Sequence, residues 1–208
     1  MFITVEGPDG SGKTSQVEPL AKYLEKQGYS ILVTREPGGT PLGNRIRSVL
    51  FDLEHTEMHP RTETLLFLAS RAQLVAQVIR PHLAGNGIVL SDRYADSTLA
   101  YQGYGHGNDI EQLRCLLEFA TGGLKPDLTI LFDLDVELGL RRRAGGGDWN
   151  RLDAYGLSFH QRVREGYHQL VKSEPHRWVV IDAQQPPEQV QAAVRKAILN
   201  RLRAKPQP

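Results

Sequence analysis

The clearest chemical signal in the sequence lies near its start, where residues 7–14 read GPDGSGKT. This segment fits the pattern G-x-x-x-x-G-K-[ST], and it follows an apolar strand-like segment and opens a helix-like one, as the pattern requires. The glycines let consecutive backbone N–H groups surround a phosphate chain, and the helix N-terminus adds partial positive charge. We therefore predict a nucleoside triphosphate site. It consists of Gly7, Pro8, Asp9, Gly10, Ser11, Gly12, Lys13 and Thr14.

Side chains around this loop are also suited to a divalent cation. Lys13 is expected to bridge the outer phosphates, and the Thr14 hydroxyl is expected to bind Mg²⁺. The apolar segment GIVLSD ends in Asp92, in the position of the acidic residue that orients magnesium in P-loop proteins, directly or through water. Asp9 lies in the loop and places a second carboxylate near the same ion. A simple turn at the end of a strand is the alternative for Asp92.

The loop identifies the phosphate donor but not the acceptor, because P-loops serve GTPases, motors and small-molecule kinases alike. The sequence has no asparagine followed by lysine, so it lacks the N-K-x-D segment with which GTPases read guanine. Its formal net charge is +1 and only 7% of its residues are aromatic, which argues against a nucleic-acid partner. We therefore expect small-molecule substrates.

Two residues of a long helical pattern, residues 62–84, indicate a second binding site. Phe67 and Arg71 lie four residues apart, so they share a helix face, about a quarter turn from the predicted core stripe. An aromatic ring beside a guanidinium suits a groove that stacks on a flat base and hydrogen-bonds it. The alternative is a phenylalanine at the flank of the helix, shielded by the arginine stem. The core stripe consists of Leu65, Leu68, Ala72, Val75 and Ile79.

The elements that must position these residues are short apolar segments separated by helical patterns. Five segments, rich in β-branched residues and without alternation, are typical of strands buried on both faces. We therefore predict an α/β fold with a five-stranded parallel sheet flanked by helices on both faces. The strand segments are 2–7, 30–35, 87–93, 128–135 and 177–183. Further helices are predicted from Asn108 or Asp109 to Gly122 and over 186–201.

Length and composition favour a single domain, and the pattern of apolar segments favours a location in the cytoplasm. With 208 residues, of which 40% are hydrophobic, the chain is expected to form a single domain over 1–208, with a frayed tail at 204–208. Its one cysteine, Cys115, excludes an internal disulfide and is predicted to pack inside a helix. The N-terminus enters a strand pattern without a basic leader, and no apolar run reaches membrane-spanning length. We therefore expect a cytoplasmic protein without a membrane partner.

Four further segments follow the P-loop in order, and together they closely resemble thymidylate kinases. The resemblance runs from Phe2 to Ala183, and it is specific because the D-R-Y/H-x-x-S and R-E-P-G-G-T elements are far rarer than a P-loop. It implies the P-loop NTPase fold, a homodimer, and transfer of the γ-phosphoryl of ATP to dTMP, giving dTDP and ADP for dTTP synthesis. The segments are TREPGGTPLG (34–43), FLASR (67–71), SDRYADSTLAYQG (91–103) and PDLTILFDLD (126–135).

Two alternative functions are compatible with a P-loop. The first is a kinase for another pyrimidine nucleoside monophosphate, such as UMP, CMP or dUMP. The resemblance places Tyr101 against the sugar 2′ position, where it favours deoxyribose, and a site built for a 2′-hydroxyl would have little use for it. The second is a non-catalytic ATP-binding switch, which would not need both an acceptor site and an arginine-rich lid, predicted over about 141–152.

The resemblance also implies which residues contact the acceptor base. Phe67 corresponds to the residue that stacks on thymine, and Arg71 to the residue that hydrogen-bonds its O4. Ser97, together with Thr98 or Gln102, falls where family members contact the pyrimidine edge or the pocket for the 5-methyl group. These residues are therefore expected to line one end of the substrate site.

Two arginines are expected at the acceptor phosphate. Arg93 resembles the arginine that binds this phosphate in the family, and Arg35 is expected to lie beside the same phosphate. Arg45 and Arg47 follow on a predicted helix. The sequence leaves open whether one of them reaches the phosphate or both lie on a solvated face.

Three further expectations follow from the resemblance. Asp9 corresponds to the carboxylate near the 3′-hydroxyl of the acceptor. The Glu36–Pro37 bond is of a kind that is often cis in this family. Gln184 lies in a segment that resembles the adenine-side loop, although a turn between a strand and a helix is an equally good explanation.

Residues 141–151 read RRRAGGGDWNR and hold four arginines against one acid. They follow the fourth predicted strand and its short helix, where kinases carry a lid, so we predict a lid over about 141–152. Some family members have an arginine at the P-loop position that is Gly10 here, and a lid poor in basic residues. This sequence has the glycine and the basic lid, and Arg142 is expected to be solvated. The residues expected to stabilise the transferred phosphoryl are Lys13, Arg93, Arg141, Arg143 and Arg151.

Overall fold

The computed structural model describes residues 1–146 and 150–204. Its strands are β1 (Phe2–Glu6), β2 (Ile31–Arg35), β3 (Ile88–Asp92), β4 (Leu128–Asp133) and β5 (Trp178–Asp182). They form one parallel sheet in the order β2–β3–β1–β4–β5, which confirms the predicted fold class. The centre of the expected lid, residues 147–149, and the expected tail beyond residue 204 lie outside the described residues.

The strand before the P-loop, β1, lies at the centre of the sheet between β3 and β4. All of its residues are buried, as the unalternating FITVE pattern predicts. The chain first runs from β1 to the edge strand β2, and it later passes from β3 to β4 and β5 on the other side of β1. A reversal of this kind leaves a crevice at the carboxyl ends of the strands, where ligands of α/β proteins bind.

Helices cover both faces of this sheet. They are α1 (Lys13–Lys26), α2 (Pro41–Phe51), α3 (Pro60–Leu74), α4 (Arg80–Ala84), α5 (Ala95–Thr98), α6 (Ile110–Thr121), α7 (Val136–Ala144), α8 (Leu157–Ser173) and α9 (Pro187–Ala204). Two π-helical turns, Val75–Ile79 and Leu99–Gly105, follow α3 and α5. One apolar cluster joins α1 and α9 to the sheet, and another joins α6 and α8 to its opposite face.

The helix predicted over residues 62–84 is interrupted, because a π-helical turn separates α3 from α4. One residue of the predicted core stripe, Leu65, is 57% exposed, so its assignment to the core was wrong. The buried face of α3 instead includes two charged residues, Glu63 and Arg71. Leu68, Val75 and Ile79 are buried as predicted. Apolar periodicity does not detect a buried face that also carries polar side chains, and this is why the prediction included Leu65.

The prediction for Cys115 was also wrong, since this residue is exposed on α6. The buried residues of α6 are Leu113, Leu117 and Thr121, which follow one another at four-residue steps. A residue two positions from such a stripe lies on the opposite side of the helix. No helix within residues 1–146 and 150–204 is both long and apolar enough to cross a bilayer.

Candidate active site

A cavity of about 900 Å³ opens beside the P-loop and joins the two sites expected from the sequence. From the phosphate site it is lined by Asp9, Gly10, Gly12, Lys13, Thr14 and Asp92. From the acceptor site it is lined by Arg35, Phe67, Arg93, Ser97, Thr98, Tyr101 and Gln102. The remaining expected residues outside the lid, which do not line it, are Gly7, Pro8, Ser11, Arg71 and Gln184.

The P-loop holds its lysine by internal hydrogen bonds. The ammonium group of Lys13 donates to the carbonyl oxygens of Gly7 and Pro8, at 3.0 and 2.8 Å, and to the Ser11 hydroxyl at 3.1 Å. Burial, followed by the repulsion of Arg93, lowers the pKa of Lys13 to about 8. Anionic phosphate in the cavity would raise the pKa of Lys13 back toward its ordinary value.

The P-loop backbone packs directly on α7, the helix that leads into the expected lid. A Cβ atom added to Gly10 would lie 2.0 Å from the carbonyl oxygen of Gly139, and one added to Gly139 would lie 2.5 Å from that of Asp9. Gly10 also has a φ of 74°, which disfavours other residues. No side chain fits at position 10 in this arrangement, so positive charge over the phosphates must come from other elements.

Thr14 and Asp92 meet at the phosphate end of the cavity. The Thr14 hydroxyl donates to a carboxylate oxygen of Asp92 at 2.7 Å. Thr14 lies in the first turn of α1 and Asp92 ends β3, so the neighbouring carboxyl ends of β1 and β3 bring the two together. A hydroxyl and a carboxylate at this distance provide two hard oxygen ligands of the type that Mg²⁺ prefers.

Arg93 lies where the phosphate and acceptor sites join. One of its nitrogens donates to Asp9 at 2.6 Å and to the Tyr101 hydroxyl at 3.1 Å, and the other donates to the Ser97 and Tyr167 hydroxyls. Its backbone φ of 70° is uncommon for a residue with a side chain. Although burial alone raises the pKa of Asp9, Arg93 and then Lys13 outweigh it and lower this pKa to about 2.

Of the two arginines left open on α2, Arg47 lines the cavity and Arg45 does not. The Arg47 guanidinium donates to the Pro37 carbonyl oxygen at 3.0 Å and lies 4.3 Å from the centre of the Phe51 ring. Burial, followed by the nearby charge of Arg35, lowers the pKa of Arg47 to about 10. Two cations that repel each other in a cavity form a site for an anion.

The end of the cavity where the acceptor base is expected, called the base end, has Phe67 on its wall and Arg71 behind it. Arg71 is 1% exposed and donates to Glu36 at 2.7 Å, to the Thr98 hydroxyl at 2.9 Å and to the Tyr94 carbonyl oxygen at 3.0 Å. The bond between Glu36 and Pro37 is cis, as the resemblance implied. Arg71 therefore supports the wall formed by Thr98 and Glu36, and in this structure it does not border the cavity itself.

The arginines of the expected lid separate into three environments. Arg143 lines the cavity, and its Nε donates to both carboxylate oxygens of Asp153 at 3.0 Å. Arg142, expected to be solvated, is exposed but also lines the cavity and donates to the Ala183 carbonyl oxygen at 3.2 Å. Arg141 is exposed and does not line the cavity. Arg151 is 7% exposed and lies outside the lining as well.

Sequence reasoning missed Glu6, a fully buried carboxylate directly before the P-loop. Its oxygens accept hydrogen bonds from the Ser97 and Tyr167 hydroxyls, at 2.5 and 2.9 Å, and from the backbone N–H of Tyr94 at 2.8 Å. A glutamate inside the apolar strand FITVE was the available signal, because a buried carboxylate requires polar partners. Burial, followed by the charge of Asp96, raises the pKa of Glu6 to about 7.

The substitution Glu6→Gln is expected to change how stability depends on pH. The pKa of Glu6 is 4.5 in the unfolded chain and about 7 in the folded protein, so the free energy of unfolding falls as pH rises through this interval. The variant lacks this titration, so the stability of the wild type relative to it should fall by on the order of 2–3 kcal/mol between about pH 5 and pH 8. Denaturant unfolding of both proteins measures this difference, and parallel pH curves would contradict it.

A family model described as thymidylate kinase matches residues 5–194. A thymidylate kinase of Thermomicrobium roseum is 56% identical over 194 residues, which cover 93% of this chain and 91% of the relative. One of an Exiguobacterium species is 52% identical over 202 residues, covering 97% of this chain and 95% of the relative.

A solved structure extends this likeness to the fold. The crystal structure of thymidylate kinase from Ehrlichia chaffeensis matches with a TM-score of 0.77 at 36% identity, covering 95% of this chain and 98% of that one. The matched residues include the P-loop, the wall around Phe67 and the helix α7 that leads into the expected lid. The chain belongs to the thymidylate kinase family.

Proposed function

We propose that this protein transfers the γ-phosphoryl group of ATP to dTMP, giving dTDP and ADP, a step of dTTP synthesis. The observation that carries this proposal is the single cavity that joins the P-loop to a wall with an aromatic ring, with Arg93 at the junction. Membership in the thymidylate kinase family supports it, and kinases for UMP or CMP and a non-catalytic switch are not favoured.

The transfer depends on positioning and on cancelling charge. The acceptor oxygen of dTMP is already anionic, so no general base is required, but two phosphate groups that repel each other must approach in line. Lys13 lines the donor side of the cavity, whereas Arg35, Arg47 and Arg93 line the acceptor side. We infer that these four cations hold the two phosphate groups together, and that Arg143 from α7 adds charge over the transferred group.

We propose that Mg²⁺ is held jointly by the protein and by ATP. No group of three or more histidine, cysteine or acidic side chains among the described residues is placed to hold a metal alone. Thr14 and Asp92 fit as the two protein ligands, and phosphate oxygens would complete the shell. Asp9 as a further ligand stays a prediction, because Arg93 and Tyr101 occupy its carboxylate. When bound, Mg²⁺ neutralises charge that develops on the phosphates.

We propose that the thymine ring stacks on Phe67 and that Ser97, Thr98 and Gln102 surround its edge. All four line the cavity. The Tyr101 hydroxyl donates to Asp9 at 2.6 Å, which fixes the ring beside the position expected for the sugar and supports its role against a 2′-hydroxyl. A contact between Arg71 and thymine O4, like one between Gln184 and adenine, stays a prediction.

A coupled assay of ADP release tests the function directly. The acceptors to compare are dTMP, dUMP, UMP, CMP and dGMP, each with ATP and Mg²⁺. We expect dTMP to have the highest kcat/KM. Rapid turnover of UMP without turnover of dTMP would refute the proposed specificity, and ATP binding without turnover of any acceptor would favour the switch.

The substitution Phe67→Ala is expected to raise the KM for dTMP by about tenfold or more, since stacking of a base on an aromatic ring contributes about 1–3 kcal/mol. The KM for ATP serves as the internal control, because Phe67 lies at the acceptor end of the cavity. Steady-state kinetics with each substrate varied in turn measures both values. An effect confined to ATP would contradict the stacking role.

We propose that the protein is a homodimer formed through α2, α3 and α6. Helix α3 contacts both of the others. The exposed positions of these helices carry large apolar side chains, and Phe119 is 90% exposed. Large exposed apolar side chains on neighbouring helices are typical of an interface. The residues concerned are Leu42, Val49, Leu65, Leu116 and Phe119.

The substitution Phe119→Asp is expected to shift the protein from dimer to monomer, because it places a charge in the proposed apolar interface. The matched control is Leu157→Asp, which changes a 40% exposed leucine at the start of α8. Sedimentation velocity over a range of concentrations distinguishes the two states. If Phe119→Asp, Leu157→Asp and the wild type all had the same sedimentation coefficient, this interface would be contradicted.

We further propose that residues 1–208 are one kinase domain that works in the cytoplasm. One apolar cluster contains residues from β1 near the N-terminus and from α9 near the C-terminus, which supports a single unit. The use of ATP supports the cytoplasmic location, because that compartment supplies ATP.

A further inference from the structure

A buried carboxylate, Glu63 on α3, lies behind the base end of the cavity. It is 0% exposed, and it accepts hydrogen bonds from two parts of the chain. Its Oε1 accepts from the Gln102 amide at 2.8 Å and lies 3.0 Å from a ring nitrogen of His106. Its Oε2 accepts from Arg151 at 2.6 Å and from the Tyr155 hydroxyl at 3.2 Å.

These contacts keep Glu63 ionised. Burial raises the pKa of its carboxyl, but the hydrogen bonds from His106 and Gln102 and the charge of His106 outweigh burial, and the pKa lies below its usual range. An ionised carboxylate only accepts hydrogen bonds. Each group that faces Glu63 must therefore present a donor to it.

The first consequence is at the acceptor base. Gln102 lines the cavity, and its Nε2 is committed to Glu63. Nε2 retains a second N–H, but the amide oxygen accepts no hydrogen bond among the contacts described, so the orientation fixed by Glu63 leaves that oxygen as a hydrogen-bond acceptor for a ligand. Thymine presents a donor, N3–H, on its pairing edge, whereas cytosine presents an acceptor there. The orientation of Gln102 thus affects which bases fit.

The second consequence is at the lid. Each of the three guanidinium nitrogens of Arg151 donates to a group of the protein, since it also donates to the Leu50 carbonyl oxygen at 3.1 Å and to the Tyr155 hydroxyl at 2.9 Å. Two residues further along the chain, Asp153 binds Arg143, which lines the cavity. The position of the segment 151–153, and with it that of Arg143, therefore depends on the ion pair between Arg151 and Glu63.

We propose that Glu63 is a positioning residue for both ends of the reaction: it orients the amide of Gln102 toward the acceptor base and anchors, through Arg151, the segment that holds Arg143. This proposal rests on the proposed function. Arg151 acts in it as the anchor of the lid and not as a contact of the transferred phosphoryl. The two arms are separable, because Glu63 uses a different oxygen for each.

The test compares kcat, KM for dTMP and the preference for dTMP over dCMP in three variants. Glu63→Gln disturbs both arms, so it should lower kcat and also reduce the dTMP preference, each by about tenfold. Arg151→Gln disturbs the lid arm alone, so it should lower kcat by a similar factor and leave the dTMP preference unchanged. The double variant contains no unpaired buried charge, and its kcat should fall no further than that of either single variant.

Glu165→Gln is the matched control, since Glu165 is exposed on α8 and bonds only its neighbour Gln169 among the contacts described. Its kinetics should equal those of the wild type, and thermal melts of all variants should show that they fold. A wild-type dTMP preference in Glu63→Gln would overturn the base arm, and a further tenfold loss of kcat in the double variant would overturn the lid arm. Failure of the wild type to use dTMP would refute the proposed function instead.

Discussion

Replacing Arg93 with alanine is expected to lower kcat/KM for dTMP by about a thousandfold, as loss of a positioned arginine does in phosphoryl transfer. Its guanidinium lies at the junction of the donor and acceptor ends, and it is only 17% exposed. Asp9 and Tyr101 bind one nitrogen, while Ser97 and Tyr167 bind the other, so the charge is held in place before substrate arrives. Such preorganisation is the reason to expect a large loss.

Two further variants make the Arg93 result interpretable. Arg93→Lys keeps the charge but not the planar fork of donors, so it should recover only part of the activity. Arg164→Ala removes an arginine that pairs with Asp133 outside the cavity, so it should leave kcat/KM unchanged. Kinetics with dTMP and thermal melts are the measurements. A folded Arg93→Ala protein with activity within about threefold of the wild type would contradict the role of Arg93.

The second large effect is expected for Arg143→Ala, which should lower kcat by about a hundredfold and change the KM values for ATP and dTMP less. Arg141, two residues earlier on α7, provides the matched comparison. Both arginines are removed from the same helix, but only Arg143 lines the cavity and is held by Asp153. Arg141→Ala should therefore reduce kcat by no more than about threefold.

Single-turnover measurements separate the effect of Arg143 on phosphoryl transfer from effects on product release. Asp153→Asn is a useful companion, because it weakens the hold on Arg143 without removing the arginine and should give an intermediate loss. A larger loss for Arg141 than for Arg143 would show that the lid adopts another arrangement during the reaction. If Arg143→Ala, Arg141→Ala and Asp153→Asn all kept the activity of the wild type, the charge of Arg143 would not act on the transferred phosphoryl group.

Several features could be predicted because they depend on residues close together in the chain. The P-loop is one continuous segment, GPDGSGKT, and its strand and helix adjoin it. The five strands are continuous apolar runs, and each observed strand lies within a predicted one. The sequence predicts Asn108 or Asp109 as the N-cap of α6. The Asp109 side chain is the cap, since it accepts a hydrogen bond from the Gln112 backbone N–H. Local chemistry was sufficient for all of these.

The errors share a physical cause. Leu65 was assigned to the core because it continued an apolar stripe, but the buried face of α3 carries Glu63 and Arg71. Each of these charges is compensated by a distant partner, Arg151 at a separation of 88 residues and Glu36 at 35. A pattern of neighbouring residues contains no information about such distant partners. A prediction from that pattern therefore assigns a buried charged residue to the surface.

The sequence by itself determined the parallel sheet, the phosphate loop and membership in the thymidylate kinase family, because strand pattern and motif are properties of continuous segments. Only the tertiary structure decided which lid arginines line the cavity, and these are Arg142 and Arg143. Arg141, Arg143 and Arg151 have the same chemistry in the sequence, but they differ in what surrounds them: solvent, Asp153 beside the cavity, and the buried Glu63. The function of a charged side chain depends on the groups that fix its position, and folding brings these together from distant parts of the chain.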